Sequence, residues 1–351
     1  MFKYLSGLLG LDVGIDLGSA NIVVYVKDRG IVLNEPSAVA VRKLPRGAGV
    51  DVIAVGREAK AMSGKVPNGI QAIWPLQDGV IANFDMTEEL IRWCLRRVSG
   101  NGSFVHPRVV VSVPAEVTEV ERKAVVDATL GAGASEAYVV EEPISAALGV
   151  GLPIDKPNGC MIVDIGGGTS EVSVISLGGI VVTSSLRTAG KMMDNAIIAM
   201  IRSRYALLIG ETTAEEVKNT IGSALPLSPE LEMAVKGRDL SDGLPKSDTV
   251  SSIEVREALE PIFLSIEDMV KVALEKIPPE LAKDVVDRGV VLSGGVALMC
   301  GFAERLSRTI NTPVIVAEEP LFSVALGVGK ILDDLGAMKR RRPVPIERGS
   351  R

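Results

Sequence analysis

The chain contains one phrase twice, EEPISAALGVG at residues 141–151 and EEPLFSVALGVG at residues 318–329. A second doublet stands ahead of each copy. Val13, Gly14 and Ile15 lead into Asp16, Leu17, Gly18 and Ser19, while Met161, Ile162 and Val163 lead into Asp164, Ile165, Gly166, Gly167, Gly168 and Thr169. Each half therefore reads as an apolar strand, an acid, a tight glycine turn and, later, a helix headed by EEP. The same order in both halves predicts a duplicated α/β unit. Two such units facing each other enclose a cleft.

The rest of the chain is compatible with that plan. A length of 351 residues with 47% hydrophobic content supports two domains with cores of their own. A formal charge of −6 and an aromatic content of 3% argue against a nucleic-acid binder. Cys94, Cys160 and Cys300 form no CxxC pair, so neither a zinc knuckle nor a disulfide framework is indicated, and a reducing cytoplasm is expected. His106 is the only histidine. It sits in a loop before a strand and reads as solvated, which removes histidine metal clusters and any triad not built on it.

Apolar runs alternate with helical periodicity, as in helices packed on mixed sheets. Strands are expected at 11–16, 22–26, 109–113, 138–141, 160–164, 172–176 and 290–293. Helices are expected at 87–98, 119–130, 194–205, 214–221 and 255–277, with Thr118 and Glu121 as a capping box for the second. Residues 30–65 and about 185–249 break the doubled pattern and read as small inserted subdomains. The expected domains are thus 1–145 and 146–335. Residues 336–351 carry six basic residues against Glu347 and predict a disordered tail.

Glycines after a strand let backbone N–H groups approach a phosphate. Gly18 with Ser19, and Gly166, Gly167 and Gly168 with Thr169, suit that role. An aspartate beside phosphates makes sense when Mg²⁺ lies between them, held through its waters by Asp16 and Asp164. No GxxxxGK[ST] motif and no strand-following GxGxxG is present, so P-loop and Rossmann readings lose their support. Gly294 and Gly295 follow another strand and suit close approach to a flat ligand such as a purine. Glu215 and Lys218 share a helix face, either against a ribose or adenine or as a solvated charge pair.

DLGSAN, EEPISAALGVG, DIGGGTSEV, TAEEVK, LSGGVAL and EEPLFSVALGVG, in this order and spacing, resemble the actin-type ATPases and, within them, the MreB family of bacterial actin-like cell-shape proteins. GIVLNEPSAVAV, RTAGKMMDNAI and GRDLSDGLPK extend the resemblance over residues 11–335. It implies a duplicated actin-like fold, with four subdomains around an ATP–Mg²⁺ cleft. Ser19, Ala20, Asn21 and Gly166 to Thr169 would then lie on the phosphates, and Glu215, Lys218, Gly294, Gly295, Val296, Ala297 and Leu298 along the nucleoside. Glu142 would position the attacking water with Thr169 close by, leaving the second EEP without a catalytic role. The resemblance also implies a slow ATPase, a homopolymer of paired protofilaments, and work with the cell-elongation and wall-synthesis machinery. Two positions depart from the family pattern: Lys191 stands where an acid is usual, and Val296 where a third glycine is.

Among other actin-type proteins, heat-shock chaperones add a long C-terminal domain, and sugar kinases need a further catalytic base. Plasmid-segregating or magnetosome-type filaments and a non-hydrolysing scaffold stay open. Met1, Leu5, Leu8 and Leu9 would share one face of a short N-terminal helix, which reads either as interfacial or as a frayed tail packed on its own domain. The resemblance favours a membrane contact through Met1, Phe2, Leu5, Leu8 and Leu9, with Phe104 from a second loop, on the inner face of the cell membrane.

Overall fold

The computed structural model describes residues 11–44, 49–100, 106–341 and 347–350. The chain divides into one unit of residues 1–160, 174–183 and 321–351 and another of residues 161–173 and 184–320.

In the first unit Asp12–Leu17 (β1), Asn21–Val26 (β2) and Gly30–Pro36 (β3) form an antiparallel meander. Arg108–Val113 (β9) lies parallel to β1, and Glu136–Glu141 (β10) parallel to β9. Both faces of this parallel centre are covered: Val13, Ile15, Val109, Val111 and Val139 are buried on one, and Val110, Tyr138 and Val140 on the other. Leu90, Ile91 and Leu95 join the same core from helix α2 (Phe84–Ser99), whose start Asn83 caps by accepting from the Met86 N–H. The expected Thr118–Glu121 capping box opens helix α3 (Glu119–Gly131).

Two expectations about this unit change. Gly30–Pro36, read as part of an insert, is the edge strand of the main sheet. The small sheet is made instead by Val39–Lys43 (β4), Val50–Val55 (β5) and Ile70–Ile73 (β6) with helix α1 (Arg57–Met62), around Ala38, Ala40, Ala54 and Ala59. Leu76–Gln77 (β7) and Val80–Ile81 (β8) form a short ribbon after it. The tail also departs from disorder, because Glu347–Ser350 (β19) pairs antiparallel with β10. Strand β10 would otherwise be an edge with unpaired N–H and C=O groups, and backbone pairing needs no apolar side chains to satisfy them.

The repeated phrase acquires a structural meaning here. Its copies supply helix α4 (Glu142–Gly149) and helix α10 (Ser323–Arg341), which pack on each other within this unit. Their serines and glycines meet reciprocally: a Cβ on Gly149 would stand 1.8 Å from the Ser323 carbonyl oxygen, and one on Gly327 would stand 1.7 Å from that of Ser145. Ser145 and Gly149 hold the same places in the first phrase as Ser323 and Gly327 in the second. Lys330 Nζ then donates to the carbonyls of Leu148 at 2.7 Å and Gly149 at 3.1 Å, closing the C-terminal end of α4. Gly149→Ala forces two backbones apart and is expected to destabilise the protein by about 2 kcal/mol in urea denaturation. Retained stability would show that the crossing tolerates a wider spacing.

The second copy, however, does not head its helix with EEP. Glu318 and Glu319 lie exposed in the connection, and α10 begins at Ser323. The Pro320 carbonyl accepts from the Gly294 N–H at 2.9 Å, and the Ser293 hydroxyl stands 3.4 Å from it, which fixes that segment outside the helix.

In the second unit Cys160–Ile165 (β11) pairs parallel with Val290–Ser293 (β17), and that strand with Val314–Val316 (β18). Ser170–Ser176 (β12) and Gly179–Leu186 (β13) complete a sheet of order β13-β12-β11-β17-β18. Helices α5 (Gly190–Tyr205), α6 (Glu211–Ile221), α7 (Ser252–Glu275), α8 (Pro279–Arg288) and α9 (Phe302–Ile310) follow in chain order. Between α5 and α7, strands Leu207–Leu208 (β14), Glu232–Asp239 (β15) and Pro245–Ser251 (β16) make a small three-stranded sheet. In this unit Arg305 binds Glu260 and the buried Glu267 and stacks 5.0 Å from the Phe263 ring, so the buried carboxylate is paired.

Candidate functional site

Parallel strands gather their carboxyl ends at one edge of a sheet, where ligands of open α/β folds bind. In the first unit Ile15, Val111 and Val139 are in register, so Asp16, one residue before the end of β1, lies level with Ser112 and Val140. Glu142, first residue of α4, follows two positions beyond Val140, about 10 Å away across two strand spacings. Ser112 Oγ stands 3.3 Å from Asp16 Oδ1. The turn after Asp16 is held from several sides: Ser37 Oγ donates to the Gly18 carbonyl at 2.6 Å, the Ser37 N–H to the Ala20 carbonyl at 2.9 Å, and the Gly79 N–H to Ser19 Oγ at 2.9 Å. A Cβ on Gly18 would reach 2.7 Å from the Asn21 carbonyl oxygen. Gly18, Ser19, Ala20 and Asn21 thus form a tightly braced turn beside a carboxylate.

The second unit repeats the arrangement. Asp164 on β11 is in register with Ser293 on β17, and the turn Gly166–Thr169 closes through a Gly166 N–H to Thr169 carbonyl bond of 2.9 Å. Gly294 has φ +83°, and a Cβ there would stand 2.2 Å from the Ile165 carbonyl oxygen and 2.6 Å from Asp164 Oδ1. Only glycine fits that approach. Gly295, Val296, Ala297 and Leu298 form one 3₁₀ turn, in which Val296 and Ala297 are buried and Leu298 is exposed. Ala224, just past α6, donates to the Cys300 carbonyl at 2.8 Å, tying the end of α6 to the stretch beyond that turn. Lys218 on α6 pairs with Asp194 at 2.8 Å and donates to the Gly190 carbonyl at 3.1 Å, so it is anchored beside the glycine turn rather than solvated. Glu215 lies one turn earlier on α6 and is half-buried.

The electrostatics bear on a metal. Burial pushes the Asp164 carboxyl up to about 6, against the lowering effect of the Ser293 hydrogen bond. A desolvated carboxylate of this kind is stabilised by a cation. Among the described residues no group of three or more His, Cys, Asp or Glu side chains forms a metal cage. The donor set fits a hydrated Mg²⁺ shared with phosphate oxygens, the mode this ion favours, and not an all-protein site.

The expected residues consequently fall into two braced sets, Asp16, Gly18–Asn21 and Glu142 in one unit, and Asp164, Gly166–Thr169, Glu215, Lys218 and Gly294–Leu298 in the other. Ser112, Ser293 and Asp194, which support them, were not anticipated, because strand register and helix packing bring them in. Met1, Phe2, Leu5, Leu8, Leu9 and Phe104 lie outside the described residues. Among the described residues no helix is long and apolar enough to cross a membrane.

A profile of the MreB/Mbl protein family matches residues 10–340. The chain belongs to the MreB/Mbl family. It is 48% identical to the cell shape-determining protein MreB of Escherichia coli K12, over 95% of this chain and 96% of that one. It is 44% identical to the cell shape-determining protein Mbl of Bacillus subtilis 168, over 94% and 98%. MreB5 of Spiroplasma citri, solved with AMPPNP, superposes with a TM-score of 0.89 at 36% identity, covering 95% of this chain and 99% of that one. A MamK double helical filament matches with a TM-score of 0.75 at 22% identity, over 92% and 98%, and shows the shared actin-like fold. The family match runs through both halves of the chain, and the fold class expected from the doubled motifs holds.

Proposed function

We infer that this member of the cell-shape family is an ATP-driven, actin-like cytoskeletal protein. One observation carries the reading: a braced glycine turn follows an aspartate-ended strand in each unit, on a chain related along almost its whole length to cell shape-determining proteins. In this reading Ser19, Ala20, Asn21 and Gly166–Thr169 hold the phosphates through backbone N–H groups. Glu215, Lys218 and Gly294–Leu298 take the nucleoside. Asp16 and Asp164 would hold Mg²⁺ through its waters, and a bound ion would supply charge neutralisation at the phosphates. Glu142, with Thr169, orients the hydrolytic water. The two large sheets and the two small ones are the four subdomains of the fold.

Slow hydrolysis to ADP and phosphate accompanies assembly into a homopolymer of paired protofilaments. The polymer lies on the inner face of the cytoplasmic membrane and organises the cell-elongation and wall-synthesis machinery. A short apolar N-terminus binds lipid weakly in a monomer, and repetition along a filament turns weak contacts into stable attachment. Electron microscopy of purified protein on anionic lipid tests this. Filaments are expected with ATP and Mg²⁺, and lipid-bound polymer is expected to be lost in Leu5→Asp/Leu9→Asp. Absence of filaments in the wild type rejects the cytoskeletal reading, and filaments of the double variant that still coat lipid reject the anchor.

A further inference from the structure

The strand β19 lies outside the part of the chain that the family shares. The family profile ends at residue 340, whereas β19 runs over Glu347–Ser350. It nevertheless completes the main sheet of the first unit, in the order β19-β10-β9-β1-β2-β3. Glu136, Ala137, Tyr138 and Val139 of β10 pair in register with Ser350, Gly349, Arg348 and Glu347. On its other side β10 pairs with β9 along its whole length. Without β19 the outer N–H and C=O groups of β10 would form a bare edge, the feature of a sheet that takes up strands from other chains.

Two properties make this cover exchangeable. It is four residues long, so few hydrogen bonds hold it, and short elements near a chain end open far below the cost of global unfolding. The pairing is also a matter of backbone register, and every copy of the chain carries both the edge and the strand. A second copy can therefore bring its own Glu347–Ser350 to the same four positions and rebuild the same ladder. Local concentration is what separates the two arrangements. Only residues 342–346 join β19 to α10, and so short a tether keeps the strand near its own edge at an effective concentration on the order of millimolar. A polymer tethers neighbouring copies to one another as well, which removes most of that advantage.

We propose that the β10 edge is a strand-addition site for a second copy of this chain: β19 closes the edge of its own chain when that chain is free, and passes to the β10 edge of a neighbour in the polymer. The assignment rests on the polymer reading above. The exchange loses no hydrogen bond, and a linked subunit leaves only after its strand has been released.

The test is disulfide trapping with diamide in a Cys300→Ser background, where the remaining Cys94 and Cys160 are buried. Glu136 and Ser350 are register partners, and facing Cα atoms of antiparallel strands lie about 4.5–5.5 Å apart, within disulfide range. One chain carrying both Glu136→Cys and Ser350→Cys is expected to close an internal disulfide without nucleotide. Chains with Glu136→Cys alone, mixed with chains with Ser350→Cys alone, are expected to give a cross-linked heterodimer by mass spectrometry, at least about tenfold more of it in polymer pelleted with ATP and Mg²⁺ than without nucleotide. Adding Arg348→Pro/Gly349→Pro to the Ser350→Cys chain should abolish the heterodimer, because one of two adjacent strand residues turns its N–H to the partner strand and proline has none. A mixture that pellets without cross-linking, an equal yield without nucleotide, or a heterodimer that survives the two prolines would overturn the exchange. Absence of the internal disulfide overturns the pairing on which the exchange is built. A wild type that does not pellet with ATP and Mg²⁺ overturns the polymer reading and the exchange with it.

Discussion

Glu142→Ala is expected to slow phosphate release on the order of a hundredfold while leaving ATP affinity within about a factor of two. The carboxylate stands at the first position of α4, at the sheet edge where Asp16 lies near the end of β1. A helix start is a favourable place for an acidic side chain. Orientation of the attacking water matters in the transition state and little in the bound ground state, so the rate falls and binding stays. Glu319 has the same neighbours in the repeated phrase but a different place in the structure. It is exposed in a connection whose Pro320 carbonyl braces Gly294, with α10 still to begin. Glu319→Ala should therefore hydrolyse at the wild-type rate. Equal losses in single-turnover phosphate release from both variants would contradict the asymmetric use of the repeat.

Asp164→Asn is expected to stabilise the protein without nucleotide and to remove its response to Mg²⁺. The sign follows from the raised carboxyl. The folded state holds the proton up to about pH 6 and an unfolded aspartate releases it near 3.8, so stability from this group is full below about pH 4 and is lost as the pH rises through 6. Above pH 6 the loss amounts to up to about 3 kcal/mol, less whatever the partial exposure of the residue relieves. Asparagine keeps the shape and lacks the charge. Its melting temperature should exceed that of the wild type at pH 8 and converge with it at pH 4. Adding ATP with Mg²⁺ should then raise the wild type strongly and the variant little. A variant that melts below the wild type at pH 8, or that gains equally from Mg²⁺, would contradict the role given to this carboxylate.

How far these arguments were legible beforehand depends on their range along the chain. Strand, acid and glycine turn are local patterns, and Asp16 with Gly18 and Asp164 with Gly166 announced themselves as a pair. The Thr118–Glu121 cap was equally local. By contrast, the reciprocal contact of Gly149 with Ser323 and of Gly327 with Ser145 depends on two helices from opposite halves of the chain meeting face to face. The repeat showed that both phrases mattered but not that they cross each other. Register brought Ser112 to Asp16 and Ser293 to Asp164, and packing brought Asp194 to Lys218. The strand Glu347–Ser350 was hidden by its composition, because main-chain pairing with β10 asks for backbone groups and not for apolar side chains.

The central claim is that the chain binds ATP together with Mg²⁺. Calorimetric titration of the purified protein with ATP, in Mg²⁺ and again in EDTA, tests it most directly. The account predicts one ATP bound per chain and an affinity at least about tenfold weaker without the metal. No binding, two equivalent sites per chain, or the same affinity in EDTA would contradict it.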